Sequence, residues 1–536
     1  MGLAAPVAVR AQDMVRFHIH DGGVERNFEL ATNELSVRST TGRSIQSVSA
    51  GDFGSVVLAA KAERRSRPTE DVELVLYTAG RERTDWTRRH VTRDLLVRLP
   101  EGVDAKRLAG QLGLRTKALP VRAEGLAMFE ARTSEEALAA MMALRGRDDV
   151  TAADVMLARQ RQRKFEPDDP LFSQQWHHRN TTQTGGALWI DTGITEVWDQ
   201  YRGTGITISV IDDGVQHTHP DLQAHYDTAL DYDYNSVDDD AAPVDLANDS
   251  HGTSCAGVAA GVGNNALGVA GAAFEATLTA VRLIAAANTD ADEAGAMSLH
   301  NDVIHVKSNS WGTPDTGADV EGFGPLGLAA LQDGVTNGRG GRGVIYVFAG
   351  GNGLDALDNS NYDGYANAIE TIAVGAVSQL GSQSWYSEPG SNLVISAPSS
   401  GGGGGITTVD LLDEGGSNNA GEGTNDLPDR DYTQWFGGTS SACPLVAGIC
   451  ALMLEANPNL GWRDVQEILI TCARRIHHAD PDWITNGAGY SFNHKYGAGM
   501  IDAKAAVALA EVWTNLGPQV STEVSQTGLS VAVPDD

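Results

Sequence analysis

Residues 206–214 read Ile206-Thr-Ile-Ser-Val-Ile-Asp212-Asp213-Gly214, a run of β-branched residues broken only by Ser209 and closed by two acids and a glycine. A run without polar alternation predicts a strand buried on both faces. Four further runs rich in β-branched residues follow, Thr277–Val281, Val303–Asn309, Val344–Ala349 and Thr371–Val374, each succeeded by a loop and a helical stretch. This alternation predicts an α/β fold, a parallel sheet with helices on both faces. In open sheets of this kind the chemistry lies beyond the carboxyl ends of the strands.

The chain around this sheet has 536 residues, room for a large α/β domain plus smaller parts. With 41% apolar and 20% charged residues, and no apolar run near the ~18 residues that span a bilayer, composition predicts a soluble globular protein. Disordered, collagen-like and membrane-spanning classes are excluded. The net charge of −31 argues against a nucleic-acid partner, whose phosphates need a basic surface. Residues 1–164 hold 27 Lys/Arg against 22 Asp/Glu, a net of +5, which leaves 12 against 48, a net of −36, for residues 165–536. Two parts of opposite sign in one chain are expected to attract each other. Cys255, Cys443, Cys450 and Cys472 are spaced for neither a CxxC metal site nor a disulfide scaffold, so buried thiols are expected. The start, MGLAAPVAVRAQ, lacks the apolar core of roughly 7–15 residues that marks a secretion signal.

Before the sheet, Met14–Leu30 reads as a hairpin about Asp21-Gly22-Gly23. Asp94–Leu99, Asp104–Leu112, Gly125–Ala131, Ser134–Leu144 and Val150–Leu157 form a β-α-β-α-β pattern, a small α+β module. The basic run Arg159–Lys164, followed by Phe165-Glu-Pro-Asp-Asp-Pro170, reads as an exposed boundary. The expected parts are 1–90, β-rich; 91–164, the α+β module; 165–516, the α/β domain; and 517–536, a tail.

Four motifs sit where strands end. Asp212 closes the first strand and can orient a histidine. His251 opens His251-Gly-Thr-Ser-Cys-Ala-Gly257, whose small residues let a helix start against neighbouring backbone. Ser440 lies in Gly437-Gly-Thr-Ser440-Ser-Ala-Cys-Pro444, a glycine turn into a helix whose dipole and free amides can stabilise an oxyanion. Asn352, in Ala349-Gly-Gly-Asn352-Gly353, offers a side-chain amide as a further donor. Singly, these are equally a turn, a structural histidine, an N-cap and another turn. Together they give acid, base and nucleophile in the order of subtilisin, not that of chymotrypsin or of the α/β-hydrolases, which would also want Gly-x-Ser-x-Gly.

With these motifs and the closing Tyr496-Gly-Ala-Gly-Met-Ile-Asp502, about residues 169–516 resemble the subtilisin superfamily, within it the kexin/furin branch of proprotein convertases. The resemblance implies a serine endopeptidase of subtilisin-like fold. Asp212 would orient the base, His251 would be general base and acid, Ser440 the nucleophile and Asn352 the oxyanion donor. It also implies cleavage after basic residues. Ser310-Trp311-Gly312-Thr-Pro-Asp315 is similar to the family's S1 wall, and Asn361-Tyr-Asp363-Gly-Tyr365 to the segment that places a carboxylate, Asp363, on the pocket floor. Asp213, with Asp249 in Asn248-Asp249-Ser250, would face P2, although that order departs from the family's acid-Asn and leaves a strict basic P2 requirement open. Glu293 and Glu321 would line S4.

The same resemblance implies Ca²⁺ held by Asp315, Asp358 and Glu388 behind S1, by Asp169, Asp221 and Asn265 at a second site, and by Asp233, Asp238 and Asp240 at a third. Cys255 falls where convertases carry a half-cystine, yet Thr424–Phe436 offers no partner, so a free thiol is expected. The α+β module resembles a subtilase propeptide, chaperone and intramolecular inhibitor, which makes Arg161-Gln162-Arg163-Lys164 the enzyme's own cleavage site: Lys164 at P1 and Phe165 as the new amino terminus. The tail resembles the opening of a P domain. The expected protein is a calcium-dependent, autoprocessed zymogen, monomeric, secreted or periplasmic, acting on polypeptides with basic residues and on neither nucleic acid nor membrane. Its rivals are a broad-specificity degradative subtilase and an inactive subtilase fold used for binding.

Overall fold

The computed structural model describes residues 16–159 and 165–517, less 22–23, 41, 50, 82, 85–86, 121–122, 124, 413–414 and 419–425, together with 519, 520, 522, 525 and 528. Lys164, the rest of the linker from Gln160 and most of the tail lie outside the described residues. The chain divides into two compact units, Met1–Arg163 and Lys164–Asp536.

The first unit is a single α+β body. Its sheet runs β1 (Arg16–Asp21), β2 (Val24–Ser39), β4 (Asp71–Thr78), β5 (Arg88–Arg98), β7 (Leu126–Glu130), β6 (Arg115–Lys117), with β3 (Gly42–Ser47) on β2 and β8 (Ala152–Ala158) on β5. Helices α1 (Phe53–Ser66), α2 (Ala105–Gln111) and α3 (Ser134–Arg145) cover it. The expected boundary at 90/91 is corrected. It falls inside β5, which pairs with β4 through Val75↔His90 and with β7 through Leu95↔Phe129, and one core joins Phe28, Leu30 and Leu74 to Val97, Phe129 and Leu138. The expected helices form where their caps dictate: Thr133 accepts the Glu136 amide, with Glu135 and Glu136 in the first turn of α3 and Arg145 in its last.

The second unit is built on seven parallel strands in the order β10 (Tyr232–Asp233), β11 (Thr277–Arg282), β9 (Thr207–Asp212), β12 (Val306–Asn309), β13 (Ile345–Ala349), β14 (Thr371–Val377), β15 (Leu393–Pro398). Every expected strand is present; β12 is shorter than its run because Val303 and Ile304 lie in a turn. Alternate side chains enter two cores. Ile208, Val210, Val347 and Val374 pack with Cys255, Ala256, Val446 and Ile449, whereas Ile211, Tyr346, Phe348 and Ala373 pack with Ala296, Met297 and Leu331. Helices α4 (His251–Ala260) and α7 (Thr439–Ala456) thus lie on one face, and α5 (Asp290–Ser298) and α6 (Pro325–Gly341) on the other. The chain runs one way from β9 to β11 and the other way to β12, so the switch point lies between β9 and β12, where open α/β sheets place their sites.

The expectation that no segment has the length and apolarity of a membrane span is also corrected. Helix α7 has 18 residues and a mean hydropathy of 1.5, the one such helix among the described residues, and 94% of it is buried inside this unit. It is a core helix that carries Ser440 at its start.

Candidate active site

Asp212 is the last residue of β9 and fully buried. Its Oδ1 lies 2.9 Å from His251 Nδ1. The approach depends on Gly252: a Cβ there would meet the Gly214 carbonyl oxygen at 2.3 Å and the Asp212 Cβ at 2.8 Å, so a larger residue would push α4 off the strand end. Desolvation in the cleft, the largest single influence, pushes the His251 pKa down, but the charge and hydrogen bond of Asp212 together with Cys255 outweigh it and hold the imidazole above its ordinary value. Phe436 packs edge-on to the ring at 5.5 Å.

Ser440 stands at the amino end of α7, where the capping Gly438 takes φ 72°, the left-handed region open to glycine. Its Oγ is 3.5 Å from the Ser310 carbonyl, and no hydrogen bond joins it to His251 among the described residues. Bonds between nucleophile and base are often loose without substrate. Asn352 is oriented by Thr439: its Oδ1 accepts from the Thr439 amide (2.7 Å) and hydroxyl (3.0 Å). The amide's Nδ2–H₂ end is thereby left as the donor. Sequence reasoning missed Thr439 in this role; its place beside the nucleophile was the only signal.

His251, Ser310, Trp311, Gly312, Asp315, Asn352, Asp363 and Thr439 line one cleft. Asp363 is a buried member of this lining, with Oδ1 accepting the Tyr365 and Ala366 amides and Oδ2 the Thr313 amide. Burial raises its pKa to about 6. A Cβ on Gly312 would sit 2.0 Å from Asp363 Oδ2, so glycine keeps the wall open beside the carboxylate.

Three other expected subsite acids, Asp213, Asp249 and Glu293, make internal bonds. Asp213 caps α4, its oxygens accepting the His251 (3.0 Å) and Gly252 (2.7 Å) amides. Burial, with Asp212 alongside, raises its pKa to about 7. Asp249 and Asp233 both pair with the buried Arg282 guanidinium, at 2.8 and 3.0 Å, while Arg282 Nε donates to the Asp213 carbonyl. Arg282, the last residue of β11, was not singled out in the sequence, where an arginine after an apolar run reads as surface. Glu293 is buried and accepts from Tyr365 OH at 3.0 Å; Glu321 is exposed and pairs through its main chain with Asp363.

Of the three expected calcium clusters, two contain unbalanced buried oxygen. Asp315, Asp358 and Glu388 border one small pocket, and burial, with Asp358 and Asp315 nearby, raises Glu388 to about 8. Asp169 and Asp221 are buried together; Asp169 Oδ1 has no partner, and burial raises Asp221 to about 6. Asn265 donates to Asp221 Oδ1 at 2.7 Å. Both sets present hard oxygen donors that a cation would neutralise. The third set is different. Asp233 is tied to Arg282 and to the Asn235 and Ser236 amides, and Asp240 lies 3.2 Å from His217 Nε2.

All four cysteines are free; Cys472 is half-buried where burial was expected. Cys255 Sγ lies 3.9 Å from His251 Nδ1, and burial raises its pKa to about 11, so it is a neutral thiol at neutral pH.

The subtilase family profile (Peptidase_S8) matches residues 203–499. Furin-1 of Xenopus laevis is 41% identical over 357 residues, 66% of this chain and 43% of that protein. Furin of Homo sapiens is 40% identical over 357 residues, 66% of this chain and 42% of its own length. The human proprotein convertase subtilisin/kexin type 4 is 39% identical over 358 residues, 66% of this chain and 44% of its own length. The matched part is thus less than half of these relatives. Among solved structures, the Aeromonas sobria serine protease in complex with its chaperone superposes with a TM-score of 0.61 at 26% identity, covering 66% of this chain and 69% of that one. From the fold, the four motifs and these matches, the chain belongs to the subtilase family, in its kexin/furin-like branch.

Proposed function

We propose that the chain is a serine endopeptidase that cleaves polypeptides after Lys or Arg, and that it is made as a zymogen processed between Lys164 and Phe165. The observation that supports the specificity is Asp363, a buried carboxylate held by three backbone amides in the lining of the cleft that contains His251 and Asn352. Ser440 Oγ would attack the scissile carbonyl as His251 takes its proton, with Asp212 steadying the imidazolium. Asn352 Nδ2 and the amides at the start of α7 would receive the oxyanion, a contribution of about 3–4 kcal/mol for one such donor. His251 would then protonate the leaving amine, and water would release the acyl group.

Asp363→Asn is expected to lower kcat/KM for Arg at P1 by about 10²–10⁴-fold, because stranding a buried charge costs roughly 3–5 kcal/mol and each 1.4 kcal/mol is tenfold. A peptide with Leu at P1 should be nearly unaffected. The preference is also expected to depend on pH. With the carboxyl raised to about 6, Asp363 becomes neutral below that pH, so the Arg/Leu ratio of kcat/KM should fall between pH 7 and pH 5. A flat ratio would count against Asp363 as the partner of P1.

Asp315, Asp358 and Glu388, and separately Asp169, Asp221 and Asn265, would hold calcium, which supplies positive charge between carboxylates that otherwise repel. Each site occupied at 100 times its Kd would add about 2.7 kcal/mol to stability. Chelator should therefore lower Tm and added calcium restore it; an unchanged Tm would remove the metal from the account. For the zymogen, amino-terminal sequencing of the active enzyme should give Phe165.

A further inference from the structure

Phe165, the first described residue after the linker, is docked on the second unit. Its backbone N–H donates to Asp199 Oδ1 at 2.6 Å. Its ring stacks on Phe274 at 5.6 Å, with the Arg202 guanidinium 4.3 Å from its centroid on the way to Trp198 O and Glu275. Arg202 itself is anchored, its amide donating to Glu455 at 2.7 Å. The dock lies at the amino ends of the strands: Arg202 precedes β9 and Phe274 precedes β11, whereas Asp212 closes β9 at the opposite end. Six strand residues at about 3.3 Å each separate the two ends by roughly 20 Å. A Lys164–Phe165 peptide bond cannot therefore lie at Ser440 while Phe165 is docked.

We infer that Asp199, Phe274 and Arg202 form a receptor for the chain's own new amino terminus, a latch that holds the Phe165 amide in the uncleaved chain and tightens on the new amine after processing. The inference rests on the processing site given above. Hydrolysis adds one water across the Lys164–Phe165 bond, leaving a carboxylate on Lys164 and an amine on Phe165. With an ordinary α-amino pKa of about 7.7–8.0, that amine takes up a proton at neutral pH. A neutral N–H donor opposite Asp199 becomes an ammonium, and the bond becomes a charge-assisted one of roughly twice the strength. Cleavage thus creates the charge that holds the terminus away from the active site.

The test compares Asp199→Asn in two forms of the full chain: the uncleaved Ser440→Ala protein, which has only an amide at Phe165, and the processed enzyme blocked with a serine-directed phosphonate. The amide can still donate to Asn, whereas the ammonium loses its counter-charge. The unfolding constant is expected to rise about tenfold in the processed form and less than threefold in the uncleaved one, with Phe165→Ala weakening both forms through the lost ring contact. Equal effects of Asp199→Asn on the two forms, in a mature chain shown by sequencing to start at Phe165, would overturn the latch alone. A mature chain that starts elsewhere would overturn the processing site and the latch together.

Discussion

Ser440→Ala is expected to lower kcat by about 10⁶-fold, the size of effect that follows when the nucleophile of a subtilisin-type triad is removed. The argument is geometric. Ser440 follows Thr439, the first residue of α7, which lines the cleft with His251 and Asn352, and its Oγ lies 3.5 Å from the carbonyl of Ser310, another residue of that lining. Its neighbour Ser441 is fully buried, with its hydroxyl 2.7 Å from Ser399 Oγ, so it cannot substitute. Residual turnover should come only from binding and the oxyanion donors. Phosphonate labelling of the wild type, absent in Ser440→Ala, would separate an enzyme from an inactive fold kept for binding; equal labelling of both would end the case for Ser440.

Asp212→Asn is expected to cost about 10⁴-fold in kcat with little change in KM. The 2.9 Å contact between Asp212 Oδ1 and His251 Nδ1 requires Nδ1 to carry the hydrogen, leaving Nε2 free to accept the serine proton. An asparagine amide at the same place favours the other tautomer while preserving the shape. Because asparagine matches Asp212 in size and removes a buried charge, the variant should fold with a similar Tm. A loss of kcat smaller than tenfold would mean that the dyad is not the operating base.

Much of the catalytic half was legible because its chemistry demands rare local patterns. Strand, acid and glycine at 206–214 fix one wall of the site, and Gly252, Gly312 and Gly438 are each required by a contact or a backbone angle that no other residue meets easily. What escaped the sequence depends on long-range pairing. Nothing near residue 90 reveals that β5 pairs with β4 and β7 along one edge and with β8 along the other, which is why one sheet was read as two parts. The internal partners of Asp213, Asp249 and Glu293, two backbone amides, Arg282 and Tyr365 respectively, were not legible either, because they come from distant stretches of sequence. Arg282, buried among Asp233, Asp249 and the Asp213 carbonyl, shows how residues far apart in sequence come together beside the site.

The central claim, a serine endopeptidase that reads a basic P1 through Asp363, is tested most directly by kcat/KM of the processed enzyme on two peptides that differ only in Arg or Leu at P1. The account predicts at least a hundredfold advantage for Arg at pH 7, largely abolished by Asp363→Asn. Equal rates for the two peptides, or an Arg advantage that survives Asp363→Asn, would contradict it.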